Sequence, residues 1–286
     1  MMFKSTTVAA LLFGAAIASP IVPREEAATQ TAEAPKATES AGAYDWAEGW
    51  KKTYPIHQSC NSTLHRQLAN GLDEAVQLAQ HAKDHILRFG HKSEFVQKYF
   101  GNASTSQPIG WYERIINADK TGMLFRCDDP DRNCATQDGD NATTETVICP
   151  LSFEIRRNLD QVCNRGYTVA ASKLNTYWAT DLMHRILHVP TVSEEVVDHF
   201  ASAYTEVTAL AKKDPSQSVI DSNTLQFFAI DVYAYDIAAP GVGCTGEPVE
   251  EEKKEASKTT GAATPSATKE APKECHTHDD GVVHCS

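Results

Sequence analysis

Large apolar residues recur along this chain in runs of helical period, separated by polar breaks. Leu64, Leu68, Leu72, Ala75, Val76, Ala79, Ala82, Ile86 and Phe89 mark one face of a long helix. Asn61 or Ser62 caps that helix and Gly90 ends it. His65, His81 and His85 lie on it. His81 and His85 are four apart with Asp84 between them, but nothing else in the sequence supports a second metal, so they read as a polar face. A shorter helix is predicted after Ser93, over 94–100, and another over 111–118. The period then changes. Residues 123–127 and 144–149 read as two strands of a small β-hairpin. The acidic loop between them, 128–141, carries Cys134 but lacks the register of a calcium-binding loop. It reads as a solvated loop pinned by a disulfide.

Helical spacing returns over 176–187, and Pro190 marks its end. Ser193 followed by Glu194 and Glu195 reads as an N-cap with an acidic first turn. The helix it predicts carries Val196, Val197, His199, Phe200, Tyr204, Val207 and Leu210. A last helix over 223–238, capped by Ser222, is rich in aromatic residues. The expected fold is a mainly α (α+β) disulfide-bonded domain over 44–246.

The flanks differ in composition. Residues 1–18 have Lys4, an apolar run from Val8 to Ala16 and the ending Ala16-Ile17-Ala18. These are the parts of a secretory signal peptide, and the run is too short to span a bilayer. Residues 19–43 form a linker or a propeptide ending at Arg24, and 247–274 form a second linker. Both are rich in Ala, Thr, Glu and Pro and too poor in large apolar residues to fold. Residues 275–286 are a separate tail.

Secretion turns the eight cysteines into a disulfide question. Cys60, Cys127, Cys134, Cys149, Cys163 and Cys244 are central, and Cys275 and Cys285 lie in the tail. Spacing alone does not choose among the pairings. Asn61, Asn102 and Asn141 are N-x-S/T glycosylation acceptors. The formal net charge of -12 argues against a nucleic-acid partner and favours cations.

The chemistry centres on Asp181-Leu182-Met183-His184-Arg185-Ile186-Leu187-His188. His184 and His188 are one helical turn apart on one face, so both imidazoles reach one ion. His199 follows as a third ligand. In H-E-x-x-H zinc proteases the residue after the first His is a Glu that serves as general base. Here it is Arg185, which has no acceptor and stays charged. The metal ligands are kept and the base is gone. In the tail, His276, His278 and His284 lie between Cys275 and Cys285. That is metal-binding composition, with a disulfide-closed loop as the plainer alternative.

Four stretches resemble the fungal HRxxH family. They are 54–61 (Tyr-Pro-Ile-His-Gln-Ser-Cys-Asn), 124–128 (Leu-Phe-Arg-Cys-Asp), Asp181 to Pro190, and Ile230-Asp231 onward to Cys244. The resemblance covers roughly 50–246 together with the tail, and Arg185 is the family's own Arg. It implies a zincin-like, mostly helical fold related to fungal metallopeptidases. It also implies a secreted zinc scavenger working with a plasma-membrane zinc transporter, with the site on His184, His188 and His199.

The expected function is therefore a secreted, zincophore-like zinc-binding protein with a degenerate peptidase site. Arg185 would bind a carboxylate or anion. Asp198 and Asp231 are candidates to orient a ligating imidazole. Host proteins and a second copy of the chain are further candidate partners. Two rivals stand beside this reading. One is an active metallopeptidase using Glu194 or Glu195 as base. The other is a surface or immune-interacting glycoprotein with structural zinc.

Overall fold

The computed structural model describes residues 44–130, 134, 145–248, 275–277 and 283–285. The expected signal peptide over 1–18, the expected linker over 19–43, Asn141, His278 and most of the expected linker over 247–274 lie outside the described residues. The chain divides into units Met1–Trp46 and Ala47–Ser286. The second unit carries every element described below.

Helix α1 runs Ser62–Phe89. The Asn61 side chain accepts from the backbone N–H groups of Thr63 and Leu64, both at 3.0 Å, and satisfies two orphan donors of the first turn. Gly90 ends the helix with a positive φ of 50°. Helix α2, Glu94–Phe100, is capped by Ser93. Helix α3, Ser106–Asn117, starts a turn or more before the first Trp of the expected segment.

Strands β1, Leu124–Arg126, and β2, Glu145–Val147, pair as anticipated in place but not in direction. They are parallel, with Phe125 opposite Thr146, so this pair is not a hairpin. A two-residue turn would force antiparallel pairing. The connection here spans 127–144, long enough for a crossover, and alternation alone carries no direction. Ile56 also bridges Phe125 in parallel. The antiparallel pair lies in the tail, where β3 (Cys275–Thr277) meets β4 (Val283–Cys285). Cys275 is there in register with Cys285, and His276 with His284.

After the short α4, Pro150–Ile155, comes α5, Trp178–Leu187. Pro190 opens the four-residue α6, Pro190–Ser193, at the position where proline is tolerated. The helix expected to follow Ser193 is absent. Glu194 and Glu195 are both left-handed, with φ of 53° and 58°, and the chain runs irregular until α7 begins at Tyr204. Val196 and Phe200 are exposed, so the apparent apolar stripe was never one helix face. Helix α7 ends at Lys213, and α8 is Pro215–Ser218. Helix α9, Ser222–Tyr233, is capped by Asp221 and continues into a π-helical turn, Ala234–Ala238.

Helix α1 packs against α3, α5 and α9. Helix α9 is buried on nearly every side, as its aromatic and aliphatic composition requires. Among the described residues, three disulfides cross-link the unit: Cys60–Cys127, Cys134–Cys149 and Cys163–Cys244.

Gly71 sets the spacing between α1 and α5. A Cβ there would lie 2.9 Å from Trp178 Cβ and 3.0 Å from Leu182 Cδ1. Replacing a helical Gly by Ala gains about 0.5–1 kcal/mol of propensity, whereas overpacking a core costs about 1–3 kcal/mol. The clash wins because Trp178 Cβ cannot rotate away. Gly71→Ala should therefore destabilise the protein in denaturant unfolding. Gly110→Ala, whose Cβ meets nothing within 4 Å, should not. Equal effects at the two sites would contradict this account of the α1–α5 contact.

Candidate metal centre

Helix α5 places His184 in its last turn and His188 just past its end. The last turn tightens, with Val189 N–H donating to Ile186 O at 3.1 Å. The helix end carries the negative pole of its dipole, which favours a cation nearby.

His199 arrives on an extended segment rather than a helix. Asp198 N–H donates to Ile220 O at 3.0 Å, and Ser222 N–H to Asp198 O at 2.9 Å. The buried Asp221 carboxylate locks this segment onto the start of α9. Its Oδ1 accepts from Phe200 N–H (2.7 Å) and Ala201 N–H (3.1 Å). Its Oδ2 accepts from Thr224 N–H (2.6 Å) and Thr224 Oγ1–H (2.7 Å). Burial pushes the Asp221 carboxyl up from the usual carboxylate range, and these hydrogen bonds pull the other way. One side chain thus caps α9 and presents His199.

The three imidazoles converge. One nitrogen from each of His184, His188 and His199 lies within 4.8 Å of the others. His188 Nε2 and His199 Nε2 are 2.7 Å apart. His184 is buried, and the other two are half-buried. His184 is steadied from behind by α9. Gln226 Nε2 lies 2.7 Å from His184 Nδ1, and Ser222 Oγ lies 3.3 Å from it. With Gln226 Nε2 donating to Nδ1, the ring proton of a neutral His184 sits on Nε2. Turning the amide end for end lets its oxygen accept from Nδ1–H, which turns the Nε2 lone pair to an ion.

Arg185 is buried and turned away from the imidazoles. Its Nε–H donates to Asp181 Oδ2 at 3.1 Å, and its NH1 to the Val147 carbonyl of β2 at 3.3 Å. Arg156 NH2 holds the other oxygen of Asp181 at 3.2 Å. Two acidic residues follow along the chain. Glu194 pairs with Arg114 at 2.5 Å, and both Glu194 and Glu195 are exposed.

Two sequence expectations about supporting carboxylates change. Asp231 contacts none of the three imidazoles in any described bond. It is fully buried between Lys98 (2.6 Å), Tyr99 OH (2.8 Å) and Thr245 Oγ1 (2.6 Å), where it ties α2 to the end of the domain. Asp198 accepts from the backbone N–H of His199 at 2.7 Å, so it shapes the segment rather than the ring. The residues that sequence reasoning missed are Gln226, Asp221 and Asp181. Gln226 had a signal, being a lone amide inside Leu225-Gln226-Phe227-Phe228. The tail places His276 and His284 opposite each other on β3 and β4.

The HRXXH family, described as "Putative peptidase family", matches residues 6–247. The chain is 47% identical over 274 residues to the major allergen Asp f 2 of Aspergillus fumigatus, covering 85% of this chain and 87% of that protein. It is 46% identical over 211 residues to the pH-regulated antigen PRA1 of Candida albicans, covering 71% of each. Among solved structures it is similar to a zinc peptidase from Grifola frondosa, with a TM-score of 0.45 and 15% identity, covering 60% of this chain and 97% of that one.

Removing the partner behind His184 tests the arrangement. Supporting contacts of this kind are worth about 10–100-fold in metal affinity. Gln226→Leu should lower zinc affinity by about that factor in competition with a chromophoric chelator, with near-UV circular dichroism unchanged. Unaltered affinity would mean that Gln226 fills space and orients nothing.

Proposed function

The chain belongs to the HRXXH family, and from that premise we propose that it is a secreted protein that captures Zn²⁺ on His184, His188 and His199 without hydrolysing peptides. The observation that carries this reading is the burial of Arg185 against Asp181. A zinc peptidase needs a carboxylate at that position to take a proton from water. This chain spends the position on a core ion pair instead. The three imidazoles suit Zn²⁺, a borderline ion that takes nitrogen ligands and keeps a fourth position for water or another donor.

In this reading the zinc is cargo. His276, His278 and His284, with Cys275 and Cys285, are the candidate further ligands, supplied by a tail joined through a linker over 247–274. Segment 1–18 directs secretion, 19–43 precedes the folded domain of 44–246, and Asn61, Asn102 and Asn141 carry glycans. The exposed Asn61 uses its side-chain oxygen as a helix cap, which leaves its amide nitrogen for the sugar. A membrane zinc transporter is the receiving partner that the resemblance suggests. Host proteins and a second copy of the chain are the other partners compatible with a secreted antigen.

Two measurements on the full chain test the proposal. Replacing His184, His188 and His199 together by Ala should remove one tightly held zinc in equilibrium dialysis. The wild type should show no zinc-dependent cleavage of a broad peptide library, because a missing general base costs about 10²–10⁴-fold. Efficient cleavage by the wild type, lost in His184→Ala, would replace capture by catalysis. Unchanged zinc content in the triple variant would move the site elsewhere.

A further inference from the structure

Glu74 lies on α1, one turn along from Gly71, and is half-buried. The structure gives it a partner 85 positions away: its Oε2 accepts from the backbone N–H of Leu159 at 3.0 Å. Leu159 opens a 3₁₀ turn, Leu159–Gln161, whose own cap residue Asn158 makes no side-chain bond to it. Glu74 therefore caps that turn from another helix. We propose that Glu74 is a pH-operated latch that holds the segment 157–163 on α1 while protonated and loosens it when ionised.

The company of the carboxyl is the first reason. Asp160 stands on the same turn, and Tyr233 faces both carboxyls from the end of α9. His81, two turns farther along α1, meets the Tyr233 ring edge-on at 5.7 Å. Among the described residues, no Lys or Arg pairs with Glu74. Once ionised, it meets a second carboxylate with no cation to offset either. Burial pushes its carboxyl from the ordinary 4.5 up to about 7; the Leu159 N–H pulls it down, and the Asp160 charge pushes it up again. A carboxyl held this high favours the folded arrangement in full only below about pH 4.5, and that contribution is lost as pH rises through about 7. Protonation removes the repulsion and still leaves an oxygen to accept from Leu159 N–H.

What the latch holds is the second reason. Arg157 N–H donates to Thr176 O and Trp178 N–H to Arg157 O, both at 2.9 Å, and Tyr177 OH donates to Gln161 O at 3.0 Å. The segment is thus laid along the start of α5. At its far end Cys163 is bonded to Cys244, just beyond the π-helical turn Ala234–Ala238. That turn has its own clasp on α1. Asp236 Oδ2 lies 3.0 Å from His81 Nε2 and 2.7 Å from His85 Nδ1, and His85 Nε2 lies 2.7 Å from Ser93 Oγ. Positions 74, 81 and 85 share one face of a helix. Two arms joined by a disulfide are therefore fastened to that face at separate points. Ionising Glu74 loosens the arm at 159–163, while the clasp on Asp236 keeps the other in place.

Amide hydrogen exchange of the full chain between pH 5 and pH 8, corrected for the intrinsic rate, tests the latch. The amides of Leu159, Gln161 and Val162 should lose about tenfold in protection, relative to those of α9, across that range. Glu74→Gln keeps an oxygen for Leu159 N–H and cannot ionise, so it should hold the acid-side protection throughout. Asp160→Asn should move the transition to lower pH. Imidazoles as a class also titrate near neutral pH, so His81→Gln is the control and should leave the transition where it is. Protection that is flat with pH in the wild type would overturn the latch. So would a transition that survives in Glu74→Gln or vanishes in His81→Gln, because the titrating group would then be another.

Discussion

Asp181 lies buried between two guanidinium groups, one oxygen on Arg156 and the other on Arg185. Three charges out of water are tolerated only together. Removing one partner from a buried ion pair typically costs about 3–5 kcal/mol, because the remainder is stranded. Arg185 also reaches the Val147 carbonyl of β2, so the network ties α5 to the small parallel sheet. Helix α5 is thereby fixed in rotation about its own axis. With Arg185 turned towards Asp181 and the sheet, His184 and His188 are presented on another face, towards His199 and α9. Arg185, at the position after the first histidine, thus also fixes how the imidazoles are presented.

The rest of the centre is built by a second clamp of a different kind. The clamp is the single carboxylate of Asp221. It accepts from two backbone N–H groups of the segment carrying His199 and from two donors on Thr224 in the first turn of α9. Helix α9 in turn stands behind His184 through Gln226 and Ser222. The three imidazoles thus depend on α5 and α9, which meet one another and share α1 as a common support. Gly71 lets α1 approach α5 closely enough for this to happen.

Helix α1 joins both histidine clusters. Its inner face carries Gly71 against Trp178 and, farther along, His85 against Ser93 and Asp236. The π-helical turn that aims Asp236 is the continuation of α9, which also carries Gln226. The two clusters therefore rest on the same pair of long helices but use different positions of each. That separation allows either cluster to be altered without removing a side chain from the other.

Local sequence determined what local physics controls. The 62–89 helix, its Asn61 cap and its Gly90 stop follow from side-chain period and capping chemistry, and Ser93 with 94–100 follows in the same way. The shared face of His184 and His188 was equally legible, because residues four apart on a helix must share a face. Tertiary structure decided the rest. Strand direction was open because a long connection permits parallel or antiparallel pairing. Left-handed backbone at Glu194 and Glu195 overrode an apparently good helix start, since a cap motif has little force against the tertiary contacts that hold the His199 segment extended. Asp231 resembled a supporting carboxylate and proved to be a core tie to Lys98, Tyr99 and Thr245. The meeting of Asp236 with His81 and His85 joins residues more than 150 positions apart, and only the packing of α9 on α1 brings them together.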